Sequence, residues 1–171
     1  MGAKNPEPYM VGNAEMHIRW SAPDGFVIDG DKRLGEKIVA VYDSIWNGKD
    51  LSVMDDAYDR ALRFEGPAGL IRHGRTHAGD HLTGILSSIP DGRLEPQHVI
   101  VKQVSDRPVR VALRWSYGGT FSGHGKYGEP TGCPLAILGI SHFELRDGKI
   151  LNECMVIDET AVYAQIAAYN Q

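Results

Sequence analysis

Asp158 stands at the end of an apolar run, Met155-Val156-Ile157. Apolar walls make a carboxylate reluctant to lose its proton, which suits such a group to moving protons at working pH. The same residue precedes Glu159–Tyr169, which reads as a short helix, and Asp is a favoured N-cap. The chemical and the capping readings therefore stand side by side. Upstream, Arg146-Asp147-Gly148 joins two alternating segments, Leu135–Leu145 and Lys149–Asp158, into a β-hairpin. Counting out from a two-residue turn pairs Arg146 with Lys149. It predicts one face carrying Ile150, Asn152, Cys154, Val156 and Asp158, opposite Leu145, Phe143, Ser141, Gly139 and Ile137. That face is apolar with a few polar groups, as a ligand cavity requires. Asn152 is a neutral polar group of that face. Cys154 reads as a small apolar wall residue, with no nearby cation to make it a thiolate. The opposite face carries His142, Glu144 and Glu153, with His142 across from Glu153 and turned outward unless a bulge shifts the register.

Other chemistry-bearing residues are more scattered. His73, His77 and His81 recur at every fourth position, a spacing at which two histidines on one helix face can hold zinc. His73 falls before the expected helix, so the three read as a solvated or pocket-rim stripe. Trp46, Tyr58, Trp115 and Tyr117 stand at core-like positions, where they pack the interior or wall a flat, cyclic ligand. His124 lies in a loop, residues 118–132, that holds six glycines, and is placed at a cavity mouth or on the surface.

These residues need elements to position them. Leu34, Ile38, Val41, Tyr42, Ile45 and Trp46 form one helical stripe, with Asp31 as N-cap and Asn47-Gly48 as a left-handed stop. A short helical turn, Leu51–Asp56, precedes a strand over Ala57–Glu65, broken by Gly66-Pro67. Thr76–Ser88 is a second helix, closed by the turn Pro90-Asp91-Gly92. The period then becomes two: strands are predicted over Gln97–Ser105, Val109–Phe121, and the two arms of the hairpin. Helices first and consecutive antiparallel strands after them give an α+β fold, with helices on one face of a curved sheet. Residues 1–30 carry three prolines and four glycines and read as an arm. Trp20 and Phe26 in that arm are placed to cover a pocket mouth or a partner subunit. Residues 31–171 form the domain.

Composition excludes several classes. The 171 residues are 42% hydrophobic and 23% charged, close to an ordinary globular domain. The net charge of −4 and the absence of a basic block argue against a nucleic-acid partner. No run of 18 apolar residues predicts a membrane span, and the N-terminus lacks a signal-like apolar stretch. Two cysteines in different elements, Cys133 and Cys154, suggest a reducing, cytoplasmic setting.

From Arg114 onward the residues follow a known order. Arg114-Trp115, Gly119-Thr120-Phe121-x-Gly123, Pro130-Thr131-Gly132, Asp147-Gly148-Lys149-Ile150, Asp158 and Gln165 occur in sequence. This set resembles the SnoaL-like polyketide cyclase (ester cyclase) family of the NTF2-like superfamily. A looser match runs back to Asp31, so the resemblance spans about 130 residues. It implies a cone-shaped α+β barrel, in which a bent antiparallel sheet wraps around helices and leaves a pocket at the open end. It also implies a homodimer or higher homo-oligomer, a small apolar carbonyl-bearing substrate, and chemistry without metal or organic cofactor. In that chemistry a carboxylate, here Asp158, removes a proton next to a carbonyl, and polar groups hold the enolate. The family's accessory histidine comes from this hairpin, which nominates His142. Its polar pocket residue at the strand end before Gly-Pro nominates Glu65 as a second acid/base. The family commonly has Glu and Trp where this chain has Asn152 and Cys154, so one wall is expected to be wider and less acidic. Cyclisation or isomerisation is the first functional expectation and a non-catalytic ligand-binding or dimerising module the second. An epoxide hydrolase built on Asp158 and Asn152 is the third, because fold does not decide function.

Overall fold

The computed structural model describes residues 9–11, 14–16 and 25–170. Trp20 lies outside them. Two short strands, β1 (Tyr9–Val11) and β2 (Ala14–Met16), pair antiparallel with each other. The rest is a seven-stranded sheet wrapped around helices. Its strands are β3 (Val27–Asp29), β4 (Tyr58–Gly66), β5 (Leu70–His73), β6 (Arg93–Lys102), β7 (Val109–Thr120), β8 (Pro134–Arg146) and β9 (Lys149–Ile157), in the order β3-β6-β7-β8-β9-β4-β5. The helices are α1 (Lys32–Trp46), α2 (Met54–Ala57), α3 (Arg75–Ser88) and α4 (Glu159–Tyr169). The α+β expectation is met.

Local chemistry accounts for the main elements. Asp31 caps α1, its Oδ1 accepting the Leu34 N–H at 2.9 Å. The stripe Ile38, Val41, Tyr42 and Ile45 is buried against the sheet. The helix stop differs from expectation. Asn47 stays right-handed, its side chain bonding both backbone groups of Leu94, and Lys49 takes the left-handed position at φ 55°. The hairpin turn uses Asp147 and Gly148, both at positive φ, as a two-residue primed turn requires.

Three features were not read from the sequence. Residues 27–29, placed in the arm, form β3, a parallel edge strand beside β6. Phe26 packs partly buried against the core. Leu70–His73 forms β5, antiparallel to β4. Strand β4 runs parallel to β9, so the β8–β9 hairpin sits inside the sheet.

The register of β9 decides the site. Arg146 pairs with Lys149 and Leu145 with Ile150, as counted. Glu144 then pairs with Asn152, leaving Leu151 as an extra residue in β9. This bulge inverts the alternation of everything after it. Glu153, Met155 and Ile157 turn inward, opposite Phe143, Ser141 and Gly139. Asn152, Cys154, Val156 and Asp158 turn outward, the reverse of the predicted face. Strand β8 keeps its phase, so His142 stays exposed on the outer face, opposite Cys154.

Candidate functional site

The inner face of the sheet and α1 enclose an aromatic interior. Trp46, Trp115, Tyr42, Tyr58, Tyr117, Phe64 and Phe143 are all fully buried there. The Trp46 and Trp115 rings lie 5.1 Å apart, Trp46 meets Tyr117 at 4.9 Å, and Tyr42 meets Phe143 edge-on at 5.3 Å. Trp115 fits because its cross-strand partner is Gly139. A Cβ there would stand 2.2 Å from the indole Cζ2, so glycine is required by close approach. Four residues named from sequence, Trp46, Tyr58, Trp115 and Tyr117, meet in this interior.

The carboxylate among them is Glu153, 1% exposed. Tyr58 donates to its Oε2 at 2.9 Å, and the Tyr42 hydroxyl contacts its Oε1. The Tyr42 hydroxyl also lies 2.6 Å from Ser141 Oγ, which accepts the Trp115 indole N–H at 3.1 Å. The Ser141 hydroxyl accepts the indole N–H and can donate its own proton to the Tyr42 oxygen, which leaves the Tyr42 proton for Glu153. Desolvation raises the Glu153 pKa to about 7, against the opposing pull of its bonds from Tyr42 and Tyr58. Desolvation, then the Glu153 charge, also pushes both tyrosines well above their usual range. One further polar atom in this interior, Trp46 Nε1, is buried without a hydrogen-bond partner.

The other named residues lie elsewhere. Asp158 is exposed and caps α4, its Oδ1 accepting the Ala161 N–H at 3.0 Å. Asn152 donates to Glu144 Oε2 at 2.7 Å on the outer face; this bond first, and then Arg110, holds Glu144 below its usual range. Asn152 and Asp158 are six positions apart, roughly 20 Å of extended chain, so they do not converge on one water. Glu65 pairs with Arg63 on the outer side of β4. Glu65, Cys154 and Asp158 do meet, but in an outer cleft of about 620 Å³ beside the start of α4. His124 is exposed in its loop, 3.7 Å from Glu129. His73 lies in β5, not on the helix; His77 is exposed; and His81 packs on Phe64 at 5.4 Å. Among the described residues no three His, Cys, Asp or Glu side chains are grouped to hold a metal ion.

Sequence reasoning missed Glu153 because it counted β9 without a bulge. One signal was available. Ile150 and Leu151 are consecutive apolar residues, a break in alternation where an extra residue fits.

The family model described as SnoaL-like polyketide cyclase matches residues 36–166. A candidate SnoaL-like polyketide cyclase from Jannaschia sp. CCS1 is 18% identical, with a TM-score of 0.68 over 79% of this chain and 92% of that one. IdmH of Streptomyces antibioticus, a candidate polyketide cyclase, is 22% identical, with a TM-score of 0.64 over 78% and 98%. TsrD of Streptomyces laurentii is 18% identical, with a TM-score of 0.66 over 82% and 99%. At these identities the likeness shows the fold. No curated protein matches the chain.

Proposed function

The chain belongs to the SnoaL-like polyketide cyclase family, and from that premise we propose a cofactor-free acid/base enzyme acting on a small, apolar, carbonyl-bearing substrate. The observation that carries this reading is Glu153: a buried carboxyl group whose pKa is raised to about 7, held by two tyrosines. A carboxyl with a pKa near working pH both accepts and returns a proton efficiently. Glu153 takes the role that the sequence assigned to Asp158, which is occupied as a helix cap. In this mechanism Glu153 removes the proton next to a carbonyl. The unpartnered Trp46 Nε1 donates to the oxygen that becomes the enolate. Such a preorganised donor is typically worth about 3–4 kcal/mol in the transition state. Cyclisation and isomerisation share this step. Reaction requires Tyr42, Trp46 and Trp115 to part and admit the substrate, since they fill the interior around Glu153.

The test is turnover of aromatic and alicyclic diketones by wild type and Glu153→Gln. Loss of about 100-fold or more with the fold retained supports the mechanism. Equal turnover by both overturns it.

A second reading, a non-catalytic ligand-binding or dimerising module, is favoured by the same tight interior. Its distinguishing result is saturable binding of such diketones without turnover in either protein. Under both readings a second copy covers the outer sheet face, where Leu138, Ile140 and Val156 stand 60%, 52% and 60% exposed on adjacent strands. Faces of this kind pack on their own twofold mates. Leu138→Glu then converts a dimer to a monomer in sedimentation velocity, and an unchanged sedimentation coefficient rejects this face.

A further inference from the structure

Strands β4 and β9 pair as far as Glu65 and Cys154. Beyond that point β4 leaves the sheet at Gly66-Pro67, where proline has no N–H to continue a ladder. Strand β9 runs on to Ile157. A slot therefore opens between the β4–β5 turn and the first residues of α4. The turn holds its shape with Ala68 and Gly69 both at positive φ, 57° and 74°. For Ala68 this is an uncommon, strained conformation.

The slot has a cavity on each side. The outer cleft of about 620 Å³ is walled by Leu70, Ile71 and Tyr163, the last two 47% and 49% exposed. A second open cavity, about 500 Å³, is lined by Arg72, His77, Asp80, His81, Lys126 and Glu159. Pro67, Ala68, Leu70 and Glu159 line both, so the two abut. The outer cleft carries Glu65, Asp158 and Glu159 beside its apolar wall, and the second cavity carries both signs of charge.

The charges around this second cavity nearly cancel. Lys126 pairs with Glu159, and His77 lies 3.8 Å from Asp80. Arg72 has no carboxylate partner among the described residues. Strand register puts Arg72 opposite Phe64, on the face where His81 packs. His81 is held neutral, its pKa lowered to about 4 by desolvation and then by Lys126. Its Nε2 is buried and unpartnered. So is the hydroxyl of Tyr127, which stands edge-on to Tyr163 at 5.8 Å. Buried polar atoms beside a cavity are ordinarily satisfied by what occupies it. One surplus guanidinium and one neutral imidazole match a single carboxylate, which takes a bidentate fork from Arg and a further bond from the ring.

We propose that this slot binds an amphipathic monocarboxylate, its carboxylate on Arg72 and His81 Nε2 and its hydrocarbon chain in the outer cleft against Leu70, Ile71 and Tyr163. The site is separate from the Glu153 interior and does not depend on the reaction proposed there.

The experiment is calorimetric titration of the full chain with octanoate and, separately, octanol, with the His81 ring followed by NMR. Octanoate binds saturably and octanol at least about ten-fold more weakly, the size expected of a charge-assisted contact. Octanoate also moves the His81 titration midpoint upward, because an anion favours imidazolium. Arg72→Gln removes the preference for octanoate. Ile71→Ser weakens octanoate and octanol alike. Glu153→Gln binds octanoate as wild type does. Three results each overturn the proposal: no saturable binding at millimolar octanoate, equal binding of acid and alcohol, or loss of octanoate binding in Glu153→Gln, which would place the ligand in the interior.

Discussion

The aromatic interior and the slot beside α4 both bury polar groups, and they treat them in opposite ways. In the interior, Glu153, Tyr42, Tyr58, Ser141 and Trp115 satisfy one another, and only Trp46 Nε1 is left over. In the slot, His81 Nε2 lacks a partner beside open volume. A closed network adds cohesion. An open one leaves bonding capacity for a visitor. The interior should therefore dominate stability, and the slot should show itself in binding.

The largest effect is expected from Trp115→Ala. It empties the middle of the interior and should cost about 3–5 kcal/mol in urea denaturation. A loss under ~1 kcal/mol would mean the interior is not the cohesive half.

Glu153 gives the next effect, and its sign is set by its pKa. The folded protein binds this proton more tightly than the unfolded chain does, whose carboxyl titrates near 4.5. The stabilising contribution is complete below about 4.5 and is lost as pH rises through about 7. A gap of this size corresponds to about 3 kcal/mol. Denaturation of Glu153→Gln across that range should lack this decline, so the variant gains on wild type toward pH 8. Parallel pH profiles would show that Glu153 is ionised in the fold.

Tyr58→Phe removes a donor that favours the charged form. The decline should move to higher pH, at a cost of about 1 kcal/mol from the lost bond. Asp158→Ala removes a helix cap, worth about 1 kcal/mol. The smallest effect belongs to the slot. Arg72→Gln should stay within about 0.5 kcal/mol of wild type while changing octanoate binding. A larger loss would make Arg72 a structural residue.

Much of this architecture is legible in the residues. The α1 stripe and its Asp31 cap, the Asp147-Gly148 turn and the alternation of β7 and β8 all follow from short-range chemistry. So does the gathering of Trp46, Tyr58, Trp115 and Tyr117. Strands β3 and β5 are three and four residues long, too short for a period to show. Their places depend on distant partners, as does the parallel pairing of β4 with β9. The face of β9 was lost for a different reason. Met155, Val156 and Ile157 are all apolar, so either phase buries hydrocarbon, and the choice rests on Leu151 alone. The aspartate that carries the family resemblance is consequently a cap, and the buried acid is its neighbour five residues earlier.

Leu151 thus works like an inserted letter in a message read two at a time. Every side chain from Asn152 to Ile157 is assigned to its layer by that single addition. Deleting it would re-phase the strand, turning Asn152, Cys154 and Val156 toward the aromatics and expelling Glu153 to solvent. The acid would be lost from the interior without any substitution at its own position.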